Sequence, residues 1–393
     1  MPVSRTVLIA GAGIGGLTAA LALARHGFRV VVFEASDRLE EIGAGIQLSP
    51  NAARILIALG IAERLKPHLV IPDELIVRMA RTGELLARAS LGATAQEHYG
   101  APYWVILRAD LQTALCDAAA ASSLIELRLG TRVDDFAAID DEITIAGRGM
   151  GATQAGGLLL ICADGLWSNL RLRLGHPREP RPARHTAWRA LVTTAAAPPE
   201  LRRPAVNLWL GRNAHLVHYP VKGGALINMV AIARDSWDEP GWNAPAPRGE
   251  VLDRFGPNSW HASARALLGV AERWHKWALL DCAPFASWGR GPVTLLGDAA
   301  HPMLPYLAQG AAMAIEDAAA LGECLARSRH NPAAGLRAYE TMRRPRTARV
   351  QRASRRNATV YHVGGAEPLL RAVARVALRG DRLIRRYDWL YAY

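Results

Sequence analysis

Three glycine-bearing segments, each set directly behind an apolar run, carry the chemistry of this chain: Gly11-Ala-Gly-Ile-Gly-Gly16, Asp164-Gly165 and Gly297-Asp298. In a strand-turn-helix unit Gly11 allows the tight turn, Gly13 admits a pyrophosphate against the backbone, and Gly16, beside Gly15, lets helix and strand pack closely. The diphosphate would rest on the helix N-terminus, where unpaired N–H groups and the dipole favour an anion. Glu34, followed by Ala35, ends a second apolar run over 28–33, at the distance where an acidic residue meets the adenosine ribose and repels a 2′-phosphate. Asp164 and Asp298 follow the runs 158–163 and 293–296, so both carboxylates sit at strand carboxyl ends, the ligand-binding edge of an open α/β sheet. A glycine motif alone is a common turn, but strand, helix and acid in register point to a dinucleotide. One such site assembled from the beginning, middle and last third of the chain points to a redox enzyme.

Two kinds of sheet must position these residues. The β-branched and aliphatic run 6–10 reads as a buried parallel strand and 17–25 as an Ala/Leu helix. Farther on, 187–192, 206–210, 214–219 and 225–233 read as strands of an antiparallel sheet, separated by turn residues at Gly211-Arg-Asn213 and Lys222-Gly-Gly224. Along 214–219 the side chains alternate, so His215, Val217 and Tyr219 share one face while Leu216 and His218 share the other. On this reading His215 and Tyr219 are neighbours in space. From Val7 to Ala24 the chain runs 18 residues without a charge, near the lower limit of a membrane span, but four glycines interrupt it. It lacks the basic flank and cleavage pattern of a signal segment, so no membrane or targeting role is expected.

Behind Asp298 the chain continues Ala-Ala-His-Pro-Met-Leu-Pro-Tyr-Leu-Ala-Gln-Gly310 into a helix of small and apolar residues over 311–325. A helix start aimed at a ligand stabilises negative charge, such as a reduced isoalloxazine carries on its pyrimidine side. An NAD dehydrogenase would not need this distant loop. At these residues the chain resembles the single-component flavin-dependent aromatic hydroxylases, the class that includes p-hydroxybenzoate hydroxylase, and within it the salicylate hydroxylase and 3-hydroxybenzoate 6-hydroxylase branch. The resemblance runs over nearly the whole length, through Gly43-Ala-Gly-Ile-Gln-Leu-Ser-Pro-Asn51, Leu107-Arg-Ala-Asp-Leu111, Cys162-Ala-Asp-Gly-Leu-Trp-Ser168, the Gly297–Gly310 loop and Ala314-Ile-Glu-Asp317.

That resemblance implies noncovalent FAD, reduction by NADH or NADPH without a second nucleotide-binding fold, and a flavin hydroperoxide that hydroxylates an electron-rich ring with oxygen from O₂. By position it assigns Gly11, Gly13, Gly15, Gly16, Glu34 and Ala35 to the ADP half, Arg108 to the diphosphate region and Asp298 to the ribityl chain. Asp164 would hold a loop shared by flavin and pyridine nucleotide; Gln47, Val133, Gly165, Gly297, Pro305, Gly310 and Ala311 complete the cofactor set. The His215-x-x-x-Tyr219 strand is similar to the pair that contacts the phenolic oxygen in hydroxybenzoate and hydroxynicotinate hydroxylases. A histidine, with its ordinary pKa near 6.5, can take the proton of a ring hydroxyl; the alternative is a hydrogen-bonded sheet histidine with no catalytic part. The chain departs from hydroxynicotinate hydroxylases at Gln47 and Tyr306, where they carry histidines, and from 3-hydroxybenzoate 6-hydroxylases at Pro305, where they carry glutamine. It therefore reads as salicylate-hydroxylase-like, with its substrate open. His301 is expected to be structural, and Pro302 and Pro305 to set the loop's path by fixing φ.

At 393 residues the chain exceeds one typical domain, without repeats or a Pro/Ser linker. The expected fold is α/β: a Rossmann-like FAD-binding domain with a parallel sheet (1–72, 101–180 and 281–345), interleaved with an antiparallel-sheet substrate domain (73–100 and 181–280), then C-terminal helices (346–393). Gly147-Arg-Gly-Met-Gly151 is expected to be a hairpin loop. The four scattered cysteines, Cys116, Cys162, Cys282 and Cys324, suggest reduced thiols and a cytoplasmic protein. A net charge of +12 invites nucleic acid, but no recognition motif accompanies it, and the arginines of 343–356 are expected to form a solvated or interfacial helical face. The tail 369–393 is expected to pack on the molecule or on a partner subunit in a homodimer rather than on a membrane. Two other functions stay open: a same-fold flavoenzyme acting by epoxidation or dehydrogenation on a non-aromatic substrate, and a basic binding protein with a vestigial site.

Overall fold

The computed structural model describes residues 6–39, 44–139, 142–149, 155–176, 179–239, 241, 243–362 and 381–393. Gly43, the tip of the expected 147–151 hairpin and much of the expected tail helix lie outside them. Two sheets organise the rest. The first has six strands, with Gly289–Arg290, Val293–Leu295, Leu159–Cys162, Thr6–Ala10, Arg29–Phe33 and Ile125–Arg128 side by side. Five of them run parallel, and the register sets Phe33 beside Ala10, Ala10 beside Cys162 and Cys162 beside Leu295. The carboxyl ends that precede the three glycine segments thus form one row. Their side chains are buried on both faces, as the unbroken apolar runs require.

The helix Ile14–Arg25 starts directly on the glycine turn, one turn earlier than its apolar pattern indicates. Against it packs Gly310–Arg327, and the approach is close: a Cβ on Gly322 would lie 3.3 Å from Ala22. Leu17, Ala20, Leu23, Ile315, Ala318 and Leu321 fill the space between, all buried.

The second sheet has eight strands: Ala244–Pro247, Arg273–Asp281, Arg181–Thr193, Leu226–Arg234, Ala214–Val221, Ala205–Gly211, Glu74–Met79 and Leu85–Ser90, in that spatial order. The four strands expected in mid-chain are all here and mutually antiparallel, while Glu74–Met79 joins them parallel to Ala205–Gly211. One face is covered by the helices Arg248–Arg254 and Ala262–Val270 through Trp188, Trp209, Leu216, Phe255 and Leu267. On the other face Val206, Leu208, Tyr219 and Val221 pack with Tyr103, Val105, Leu107, Leu383 and Ile384.

The arginine-rich stretch, expected to be a solvated or interfacial face, is divided: Arg349, Arg352 and Arg356 are exposed, while others turn inward. It lies on the helix Pro332–Tyr361, where Arg343 is fully buried between Glu316 and Asp317, Arg346 pairs with Glu316, and Arg355 pairs with Asp281. Burial of an arginine requires paired carboxylates, and the Glu316-Asp317 pair on the neighbouring helix supplies them. Past the undescribed segment, Asp381–Arg385 and Asp388–Tyr391 return onto the molecule. Arg346 donates to the carbonyls of Trp389 and Leu390, and Tyr99 Oη donates to Asp388 at 2.7 Å. Among the described residues no helix is long and apolar enough to cross a membrane.

Candidate active site

The row of strand ends brings the three glycine segments together. Gly11 has a φ of +105°, and a Cβ there would lie 2.3 Å from the carbonyl oxygen of Ala163, beside Asp164. A Cβ on Gly16 would lie 1.9 Å from the carbonyl of Gly11, and one on Gly15 would collide with Leu296 at 2.8 Å. At Gly11 and Gly16, which face backbone, only hydrogen fits. Gly13 differs: no protein atom lies within 4 Å of its would-be Cβ, so the turn presents open backbone there.

Glu34 closes the turn from the next strand. Its Oε2 accepts from the N–H of Ala12 at 2.8 Å and its Oε1 from that of Ser36 at 3.0 Å. Ala35 follows it at the surface, and the N–H of Thr131 reaches the Glu34 carbonyl, which brings the buried Val133 to the same corner. Arg108 opens the helix Arg108–Ala120, its N–H bonded to the Ala44 carbonyl. One turn along that helix, Gln112 Nε2 donates to the carbonyl of Ala12 at 3.0 Å. Gln112 was missed in the sequence; its polarity on a buried face was the available signal.

A flavin dinucleotide fits these residues. Neither helix start, at Ile14 or at Gly310, carries a side-chain cap or an acidic residue in its first turn, so the leading N–H groups of both can meet an anion. Asp164 Oδ1 and Gln112 Oε1 are buried acceptors with no partner among the described residues, and buried polar groups are ordinarily satisfied. Burial holds the Asp164 carboxyl above its usual range. Gly297, with φ +64°, turns the chain so that Asp298 follows the strand end, 3.9 Å from a Cβ built on Gly310. Ala311 then continues the helix.

Beneath that loop lies a polar cluster. His301 Nε2 and Asp317 Oδ2 are 2.5 Å apart, and the same carboxylate oxygen accepts the Gly297 N–H at 3.1 Å. Gln309 donates to Ser49 at 2.7 Å, Ser49 to Asn51 at 2.6 Å, and Asn51 to Glu316 at 2.6 Å. His301, expected to be structural, meets the Asp317 side chain rather than capping backbone. The cluster ties both ends of the 297–310 loop to the helix that follows.

Against the antiparallel sheet a cavity of about 100 Å³ is walled by Gln47, Tyr103, His215, Val217, Pro305 and Tyr306, with Leu383, Tyr387 and Tyr391 from the tail. An apolar cavity of ~150 Å³ admits benzene, so the scale is that of one aromatic ring. Pro305 and Gln47, assigned to the cofactor by resemblance, line this cavity; Gln47 Oε1 accepts from Tyr103 Oη at 2.7 Å. His215 is 1 % exposed, and its Nδ1 lies 2.8 Å from Nε2 of His362, so Nε2 is the nitrogen left for a ligand. Burial, reinforced by His362 and His185, holds its pKa well below the usual histidine value. Tyr306 packs at 5.4 Å between ring centroids, and its hydroxyl has no partner among the described residues.

His215, Val217 and Tyr219 do share the cavity-side face, and His218 points the other way, accepting from Trp209 Nε1 at 3.1 Å. Burial brings His218 down to about 3. His215 and Tyr219 are not neighbours, however. Four strand residues span roughly 13 Å at ~3.3 Å per residue, and Tyr219 sits behind Gln47, packed against Gly45 and opposite Asn228. Asn228 Oδ1 in turn accepts the Gly45 N–H at 2.8 Å, joining the antiparallel sheet to the short strand Gly45–Leu48 at a point the sequence did not mark.

A parallel sheet with a glycine-cradled dinucleotide edge, facing a ring-sized cavity on an antiparallel sheet, defines a flavoenzyme that acts on an aromatic compound. Residues 4–354 match the FAD binding domain family, and the chain belongs to it. It is 39 % identical over 387 residues to 3-hydroxybenzoate 6-hydroxylase 1 of Aquipseudomonas alcaligenes, covering 98 % of this chain and 97 % of that one. Among solved structures it is similar to HpxO of Klebsiella pneumoniae complexed with FAD and uric acid (TM-score 0.84, 26 % identity, 98 % and 96 % of the two chains). A salicylate hydroxylase substrate complex matches with TM-score 0.81 and 27 % identity over 99 % and 95 %. The chain is an FAD-dependent aromatic monooxygenase; nothing in these likenesses favours epoxidation or dehydrogenation of a non-aromatic compound.

Proposed function

We propose that this chain hydroxylates a hydroxybenzoate or a related heteroaromatic acid, with NADH or NADPH and O₂ as co-substrates and 3-hydroxybenzoate as the first compound to test. The observation that carries the reading is the ring-sized cavity to which His215 and the Tyr306 hydroxyl, unpartnered among the described residues, both contribute polar groups. Among the described residues its walls hold no arginine or lysine, and hydroxyl and amide groups of Tyr306 and Gln47 are there to receive a substrate carboxylate. FAD, when bound, supplies the activated oxygen. His215 takes the ring hydroxyl's proton and thereby raises the electron density of the ring, while Tyr306 and Tyr103 orient it and the tail residues exclude water.

In this reading Gly11, Gly13, Gly15, Gly16 and Arg108 hold the diphosphate, Glu34, Ala35 and Val133 the adenosine, Asp298 the ribityl chain, and Gly310 and Ala311 the pyrimidine edge. Asp164, Gly165 and Gly297 shape the loops around them. The domain division is the interleaved one, with 1–72, 101–180 and 281–345 around the cofactor and 73–100 and 181–280 around the substrate. No disulfide is present among the described residues, which supports a cytoplasmic protein; a homodimer is one assembly to test, by its mass in solution. Substrate-triggered NAD(P)H oxidation with product analysis, over a panel of hydroxybenzoates and heteroaromatic acids, tests the function. An epoxide or dehydrogenated product from a non-aromatic compound, with every aromatic acid inert, would sink it.

A further inference from the structure

His215 has a buried histidine behind it, and the pair is placed to move a proton rather than merely hold one. We propose that His362 is the positioning residue that receives, through His215, the proton leaving the substrate's ring hydroxyl; this rests on His215 acting as the base. His215 Nδ1 and His362 Nε2 lie 2.8 Å apart, hydrogen-bond distance for a neutral pair in which one donates. For Nε2 of His215 to accept a proton, its Nδ1 must carry the hydrogen and donate it to His362. When the phenol O–H bond breaks, its proton bonds to His215 Nε2 and the electron pair stays on the phenolate oxygen. The Nδ1–H of His215 passes to Nε2 of His362. His215 ends neutral in its other tautomer, and the positive charge moves off the cavity wall onto His362.

The surroundings favour that direction. His362 follows the helix Pro332–Tyr361 as its C-cap, where the negative end of the dipole favours a cation. It is 9 % exposed against 1 % for His215, and its Nδ1 has no partner among the described residues, leaving that nitrogen to release the proton. The groups around the pair are Tyr306 and Tyr361, edge-on or tilted to His215, and His185, stacked on His362 at 4.6 Å. Arg234 pairs across the sheet from His185. Among the described residues no carboxylate stands in these contacts to fix the charge. Burial and His185 bring His362 down to about 3, so the proton is handed on and not stored.

The test uses FAD-loaded enzyme and the hydroxybenzoate that wild type hydroxylates, 3-hydroxybenzoate in the first instance, with product formed per NAD(P)H as the readout. His362→Phe keeps a ring in place and removes both nitrogens. Its coupling should fall at least ~10-fold at neutral pH, as for a lost proton-transfer group, with substrate-stimulated flavin reduction retained. It should then recover as pH rises toward the phenol's own ionisation near ~10, because solution supplies the phenolate; wild type should stay flat. His362→Gly should regain coupling with added imidazole, which a packing defect would not. If His215→Asn uncouples and His362→Phe stays coupled, the relay is overturned while the base stands. If both stay coupled, the base itself is overturned.

Discussion

Arg343 and Asp317 meet at 2.7 Å, Nε to Oδ1, with both side chains wholly buried. The other oxygen of Asp317 holds His301 and the Gly297 N–H, so a C-terminal arginine is linked through one carboxylate to the turn beneath the expected flavin site. Breaking a buried pair by removing one partner costs about 3–5 kcal/mol. Arg343→Met should lower unfolding free energy by that order and reduce FAD occupancy, both read by denaturant titration and by flavin absorbance per protein. Unchanged occupancy in a folded variant would disconnect the pair from the site.

Acid should act on the same cluster. Burial alone would raise Asp317, but His301 and Arg343 outweigh it and hold the carboxyl below its usual range. A carboxylate depressed in the folded state contributes fully above its unfolded pKa near ~3.9 and loses that contribution as pH falls through the folded value. Stability should therefore decline below about pH 4 more steeply in wild type than in Asp317→Asn, measured by thermal unfolding across pH.

Asp298→Ala should lower FAD occupancy sharply, because it removes the expected ribityl acceptor and leaves donors unpaired at about 1–3 kcal/mol each. The flavin should be noncovalent: acid precipitation of wild type should leave all of it in the supernatant. Flavin retained in the pellet would contradict this.

His215→Ala should keep substrate-dependent NAD(P)H oxidation running while product per nucleotide collapses ~10²- to 10⁴-fold in the assisted step and H₂O₂ rises to match. His218→Ala is the control from the opposite face. It should stay coupled, although stranding the Trp209 N–H costs about 1–3 kcal/mol of stability. Coupling lost only in His218→Ala would reverse the two faces.

Tyr391 lines the cavity and packs edge-on against Tyr99 and Tyr103. Each aromatic contact is worth about 0.5–1.5 kcal/mol, so Tyr391→Ala should raise KM for the aromatic substrate roughly two- to tenfold with kcat for flavin reduction little changed. An unaltered KM would show that the tail does not close the cavity.

What the residues settle by themselves is local. Unbroken apolar runs followed by Gly11–Gly16, Asp164 and Gly297 specify parallel strands that end in turns only glycine can make, and alternation along Ala214–Val221 divides His215 from His218. Both patterns depend on backbone geometry within a few residues. The contacts between distant segments are a different matter. That Arg343 would be buried rather than solvated, that the His215 ring would meet His362 across 147 positions, and that Tyr219 would stand behind Gln47 depend on how two sheets and a returning tail pack. Periodicity reports which face of an element is apolar, but not which distant carboxylate or imidazole will lie against it; only the packed tertiary structure supplies that partner.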